Sequence, residues 1–147
     1  MGEEESKRDG LKSNSPIRRK SYTVNFSDEF NYLYNYVYSE SKLDLIDDFI
    51  EHYEKHGLTG WKGKISSSAN VPSYYKNHVE RSEYARQFDL WHVHIGLPTW
   101  QSYTDIPYCT SDQVIHFQKH GRYEITLLTI STHNPMDLPP LDMLKKL

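Results

Sequence analysis

The sequence is poor in cysteine and in long apolar runs, and each shortage argues against a class of protein. Its single cysteine, Cys109, cannot form an internal disulfide, which argues against a disulfide-stabilised secreted domain and agrees with a reducing compartment. The longest apolar runs, LLTI and LDLI, are far shorter than the roughly 20 residues that span a bilayer. No signal-peptide segment follows the start. A cytoplasmic protein without a membrane partner is therefore expected.

Net positive charge is also lacking, and the balance of −3 hides an uneven distribution. Residues 27–56 hold eight acidic and two basic side chains, whereas residues 59–86 hold five basic and two acidic ones. Residues 1–20 have mixed charge and almost no apolar side chains, which is the composition of a disordered tail. We expect one domain over 21–147, with its acidic and basic segments on different surfaces.

Hydrophobic spacing predicts a strand and two helices in the first part of that domain. Residues 22–26 alternate like a half-buried strand, and Ser27 can cap the helix that follows. Alternating tyrosines over 32–38 also fit a strand, but the cap and the acidic first turn favour the helix. A second amphipathic stripe over 45–53 ends before Gly57, a natural helix stop.

The sequence pattern in the second part of the domain predicts more strands than helices. A loop rich in Gly, Ser and Pro and a short helical piece at 78–86 lead into the strand DLWHVHIGL. Two further apolar runs joined through Gly121 predict a hairpin, and LDMLKKL predicts a short closing helix. This order predicts an α+β fold, with a small, mostly antiparallel sheet and the two N-terminal helices packed on one face. The opposite face is then expected to be polar and open.

Histidines on the later strands are the candidate functional groups. His92 and His94 point to one face of their strand, because side chains repeat every second residue. His116 lies on the next strand, and His133 follows the last one. If the strand faces coincide, these imidazoles share one side of the sheet, but a one-residue change of register would scatter them.

Three interpretations of these histidines stay open from the residues alone. They are hydrogen-bonded packing residues, or they bind a metal ion as a His-x-His pair with a third ligand, or they transfer protons during RNA cleavage. In the last case the 2′-hydroxyl is the nucleophile, and histidine accepts or donates protons near neutral pH. Lysine or arginine stabilises the phosphate, and exposed aromatic side chains stack on unpaired bases.

Two stretches resemble a known family. SYTVNFSDEFNYL is similar to the opening strand and helix of the RelE/ParE toxin superfamily. LWHVHIGLP, followed by DQVIHFQKHGRYEITLLTISTHNPM, resembles the YafO branch of that superfamily, roughly over residues 85–147. The resemblance implies a RelE-like domain that acts as a type II toxin: an mRNA interferase that works on the ribosome and is held inactive by a cognate antitoxin protein.

The resemblance also indicates which residues act. His92, His94 and His133 match the motif positions, and we expect them to be catalytic together with Arg86, which is a candidate from composition only. The remaining candidates, expected to bind the RNA, are Lys62, Lys64, Arg81, His116, Lys119 and Arg122. Neither a metal nor a cofactor is expected. The chain departs from the better-known RelE pattern, because Trp-His-Val-His replaces an arginine-bearing central strand. The alternative function is a non-catalytic protein-binding module, such as a ParE-like poison of a protein target.

Overall fold

Three helices and a five-stranded sheet form the part of the chain that the computed structural model describes, residues 21–134 and 136–144. The tail predicted at 1–20 lies outside these residues. In chain order the elements are β1 (Thr23–Phe26), α1 (Asp28–Tyr36), α2 (Glu40–His56), β2 (Ile65–Ser67), α3 (His78–Gln87), β3 (Leu90–Leu97), β4 (Gln113–Lys119), β5 (Glu124–Thr132) and a 3-10 turn (Leu141–Met143).

The sheet has the strand order β1-β5-β4-β3-β2 and is mostly antiparallel, as predicted. Only the pairing of β1 with β5 is parallel. The β4–β5 hairpin turns through Gly121, whose φ of +75° suits a residue without a side chain. Strand β2 was missed at the level of sequence, because Ile-Ser-Ser is too short to show a strand period.

Both N-terminal helices are confirmed, and side-chain caps explain where they begin. Ser27 Oγ accepts a hydrogen bond from the amide of Phe30 at 3.0 Å, so the cap prevails over the alternating tyrosines. Helix α2 begins at Glu40, before the apolar stripe over 45–53, because Ser39 caps it through the amide of Lys42. It ends at Gly57, as predicted, with φ +69°.

The main core lies between these two helices and one face of the sheet. Helices α1 and α2 contribute aromatic and aliphatic side chains that meet the odd-numbered positions of β3 and β4. The fully enclosed members are Phe30, Ile46, Phe49, Tyr53, Val93, Ile95, Ile115, Phe117, Ile125 and Leu127. This arrangement directs the even-numbered positions of β3 and β4, including three histidines, to the other face.

That other face is partly covered, which corrects the expectation of an open surface. Ala85 of α3 packs with Leu90 and Leu128 in a second, smaller core, joined by Leu144 near the end of the chain. The sequence did not predict this core, because the alanine of a short polar helix carries no periodic signal. The closing helix predicted at the C-terminus is a single 3-10 turn over the described residues. No helix of residues 21–134 and 136–144 has the length and apolar character needed to cross a membrane.

Candidate active site

Four imidazole rings converge on the face of the sheet that lies away from α1 and α2. The ring centroid of His133 lies 4.8 Å from that of His94 and 5.2 Å from that of His92. His92 is also 6.3 Å from His94 and 6.4 Å from His116. The register that pairs His92 with His116 across β3 and β4 brings about this convergence. We refer to these four residues as the histidine cluster.

Three members of the cluster are almost fully enclosed, and one is reached by solvent. His116, His94 and His92 expose 0%, 2% and 5% of their surface, whereas His133 is half-buried. The expectation that the rings share one face is therefore met. The accompanying expectation that the face is open is wrong for these three, because each exposes 5% or less of its surface.

One ring nitrogen of each enclosed histidine makes a hydrogen bond, whereas the second ring nitrogen of His94 and of His116 has no partner. His92 Nδ1 lies 2.9 Å from Ser68 Oγ, and His116 Nε2 lies 2.6 Å from Ser131 Oγ. His94 Nδ1 is 2.9 Å from the amide nitrogen and 2.8 Å from the carbonyl oxygen of Ser111. His94 Nε2 and His116 Nδ1 are buried without a hydrogen-bond partner. Such atoms are costly in a purely structural cluster and are common at functional sites.

Burial keeps these imidazoles neutral at pH 7. Desolvation lowers the pKa of His92 to about 3, with further contributions from His133 and the other nearby rings. Desolvation also lowers the pKa of His94 to about 4 and that of His116 to about 4. The pKa of His133 is lowered by desolvation and by the charge of Lys64. A neutral ring can accept a proton, so His133 is the accessible candidate base.

Lys64 supplies positive charge next to the cluster. Its charge lowers the pKa values of His92, His94 and His133, which places its ammonium group within electrostatic range of all three. The ammonium group lies 5.4 Å from the centroid of the Tyr108 ring. The backbone of Lys64 is fixed on both sides, because its carbonyl accepts from the amide of His94 and its amide donates to Cys109.

Gly63 permits this close approach of Lys64 to β3. A Cβ atom at position 63 would lie 2.1 Å from the carbonyl oxygen of His94 and 2.7 Å from Nε1 of Trp61. Trp61 Nε1 itself donates to that carbonyl at 2.8 Å. The site therefore depends on the absence of a side chain at position 63.

We predict that Gly63→Ala destabilises the protein by at least about 3 kcal/mol and displaces Lys64, because a backbone oxygen cannot yield to the added methyl group. Urea unfolding and the amide NMR signals of β2 and β3 measure both effects. Gly121→Ala is the matched control. Its Cβ would meet nothing within 4 Å, so only the positive φ costs stability, about 1–2 kcal/mol. Equal effects at the two positions would contradict this role of Gly63.

Two pockets meet at Lys64 and His133. One, of about 570 Å³, includes His94, Gln101 and Tyr103 in its lining, and we call it the Tyr103 pocket. The other, of about 410 Å³, includes His92 and Tyr74, and we call it the Tyr74 pocket. Lys64, His133 and Asn134 line both pockets. A ligand that occupies both pockets must therefore pass the accessible imidazole and the ammonium group.

The structure brings only some of the predicted basic residues to this place. Arg81 lines the Tyr74 pocket, where it donates to the carbonyl of Met136 and lies against the Tyr75 ring. Arg86, predicted to be catalytic, is exposed on α3, bonds to Ser82 Oγ, and lines neither pocket.

Three other basic residues also line neither pocket, because each lies against an aromatic ring elsewhere on the molecule. Their ring partners are Trp100 for Lys62, Trp91 for Lys119 and Tyr123 for Arg122. His116, predicted to bind RNA, is fully enclosed and cannot touch a substrate; it supports the cluster from within.

Several residues of the site escaped the sequence-level reasoning. Ser68 and Ser111 orient His92 and His94, and Asn134 and Tyr74 line the pockets. The only signal for Asn134 was its position next to His133. The serines and Tyr74 lie in loops, where spacing carries no information about contacts across the sheet. Within residues 21–134 and 136–144, no three His, Cys, Asp or Glu side chains are arranged so that they could hold a metal ion.

Comparisons with known proteins do not assign a family or a function to this site. The chain matches no protein-family model, no curated protein and no solved structure at a significant level. The fold and the histidine cluster are therefore described from this protein's own sequence and structure. The resemblance to RelE-like toxins stays a prediction from sequence.

Proposed function

We propose that the protein is an endoribonuclease that cleaves mRNA through the 2′-hydroxyl of its substrate, as a type II toxin of the RelE-like kind. One observation carries this proposal: an accessible neutral imidazole, His133, lies beside Lys64 between two pockets and against two further imidazoles. RNA cleavage of this kind needs a proton acceptor, a proton donor and a cation at one phosphodiester.

The groups of the cluster can take these roles in a balanced step. His133 removes the proton of the 2′-hydroxyl, the 2′-oxygen attacks phosphorus, and the bond from phosphorus to the 5′-oxygen breaks. His92 or His94 donates a proton to the leaving 5′-oxygen. The low pKa values of these two rings describe the protein without RNA, and a phosphate anion next to them raises the pKa values and so favours the protonated form of one ring.

Lys64 is the cation best placed to stabilise charge on the phosphate. It lines both pockets, and its charge already acts on three rings of the cluster. The acidic segment 27–56 forms α1 and α2 on the opposite face of the sheet. RNA bound at the two pockets is therefore on the sheet face away from these acidic helices, where Lys64 and Arg81 neutralise phosphates and the release of counterions favours binding.

Mapping of cuts in mRNA on translating ribosomes tests the proposed function. We expect the purified full-length protein to cut at defined positions and to leave a 2′,3′-cyclic phosphate. A 2′-deoxy substitution at a mapped position should stop cleavage there, because it removes the nucleophile. Intact mRNA, or cleavage that continues at the 2′-deoxy position, would reject the proposal.

The alternative of a protein-binding module is favoured by one separate observation. Helix α1 and its C-cap residue expose three large apolar side chains, Tyr32, Tyr36 and Val37, by 57%, 78% and 55%. A cognate antitoxin or a protein target could cover this patch. Translation inhibited with intact mRNA would favour this alternative over cleavage.

A further inference from the structure

We propose that the Tyr74 pocket binds one unpaired nucleobase next to the phosphodiester held by Lys64 and His133. The inference rests on the proposed function for the position of that phosphate, and it adds a separate binding site for a base. It implies that the protein acts on single-stranded RNA, because a base within a duplex cannot enter a pocket.

Tyr74 offers an aromatic face that the described part of the chain does not cover. It is 85% exposed, the highest value among the large apolar side chains that the structure leaves in solvent. Its neighbour Tyr75 lies at a ring centroid distance of 5.4 Å and an angle of 54°, so the two rings form a corner. An exposed tyrosine beside a basic cleft is a typical stacking platform for a base.

The other walls of the pocket suit a base as well. Val71 and Pro72 give an apolar wall, and Asn70 brings an amide to its rim. The volume of about 410 Å³ lies within the range of roughly 300–1,000 Å³ typical of small-molecule sites. A flat apolar ring with a polar edge matches this lining.

Contacts behind the pocket fix its shape in advance. The Tyr75 hydroxyl donates to Asn134 Oδ1 at 3.2 Å. Because this bond occupies the amide oxygen, the amide nitrogen of Asn134 is the group that can donate to a ligand. The guanidinium group of Arg81, on α3, lies 5.5 Å from the centroid of the Tyr75 ring and donates a hydrogen bond to the carbonyl of Met136. Arg81 is therefore a positioning residue here, and Tyr74 is the residue that meets the base.

Binding of a probe that cannot be cleaved tests this pocket independently of catalysis. The probe is a short single-stranded 2′-O-methyl oligonucleotide that carries the fluorescent base 2-aminopurine at each position in turn. We expect the full-length protein to quench one position by stacking. Tyr74→Ala should weaken binding roughly five- to hundredfold and remove that quench, whereas Tyr74→Phe should bind within about twofold of wild type.

Two controls separate this effect from general damage. Tyr36→Ala removes a similarly exposed tyrosine from α1, on the other face, and should leave the affinity unchanged. The same probe annealed into a duplex should bind at least about tenfold more weakly. With a cleavable substrate, Tyr74→Ala should raise KM by the factor seen in binding and change kcat by less than about twofold.

The results distinguish failure of the pocket from failure of the proposed function. Unchanged probe affinity in Tyr74→Ala, with cleavage of RNA intact, overturns the base pocket and leaves the nuclease. Binding and quenching that depend on Tyr74, without cleavage of any RNA, keep the pocket and overturn the nuclease. Equal binding of the duplex and the single strand also overturns the pocket.

Discussion

Replacing His133 with alanine should lower kcat/KM for RNA cleavage about 10²- to 10⁴-fold, the usual contribution of a positioned proton acceptor. His133 is the half-buried ring at the junction of the two pockets, and its contacts are with His92 and His94. Because its ring makes no hydrogen bond to the other residues that the structure describes, the free energy of unfolding should change by less than about 1 kcal/mol. Single-turnover kinetics and urea unfolding measure the two quantities.

The matched control is His56→Ala, which removes an exposed histidine from the end of α2. Its activity should equal that of the wild type. His94→Ala should also lose activity, but with a larger loss of stability, because this ring is buried and bonded to Ser111. Cleavage by His133→Ala at more than about half the wild-type rate would remove His133 from the mechanism.

The second large effect concerns pH and stability. His92, His94 and His116 have folded-state pKa values of about 3, about 4 and about 4, below the unfolded value of about 6.5. Between these limits the unfolded chain binds more protons than the folded one, so the free energy of unfolding falls as the pH falls. Each histidine contributes up to about 1.4 kcal/mol per pH unit. We expect a loss of up to about 4 kcal/mol between pH 7 and pH 5.5.

Urea unfolding at several pH values in that interval measures this loss. The interval lies above the usual pKa values of carboxyl groups, so the histidines dominate the change. His116→Gln should reduce the pH dependence by up to about one third, since it removes one of the three rings with the lowest pKa values and its amide group takes the place of Nε2 opposite Ser131. A free energy of unfolding that stays constant from pH 7 to pH 5.5 would show that these rings are not desolvated.

Much of the fold could be predicted from local patterns, and the errors have local causes too. The caps at Ser27 and Gly57, the hairpin through Gly121 and the two-residue period of β3 were all visible in the sequence, because each depends on neighbours within a few residues. Strand β2 was too short to show a period. The closing helix predicted over LDMLKKL is a 3-10 turn at Leu141–Met143 within the described residues.

The candidate site could be predicted only in part. Alternation along β3 placed His92 and His94 on one face, and the motif pointed to His133, but composition alone could not choose among the basic residues. Lys64 lies beside the cluster because β2 pairs with β3 next to His92, whereas Arg86 points away on α3. Tyr74 and Asn134 were missed because loop residues meet across the sheet without any spacing rule.

Local patterns along the chain specify most of the helices and strands, and which side chains of each strand share a face, because alternation and capping act over a few residues. The tertiary structure decided what those faces meet. Pairing of β3 with β4 sets His92 opposite His116. Strand β5, which pairs with the other edge of β4, brings His133 next to His92 and His94. Packing around this face buries three of these rings and leaves His133 half-buried. Such contacts join residues far apart in the chain, so packing of the whole domain decides them, and no local pattern can.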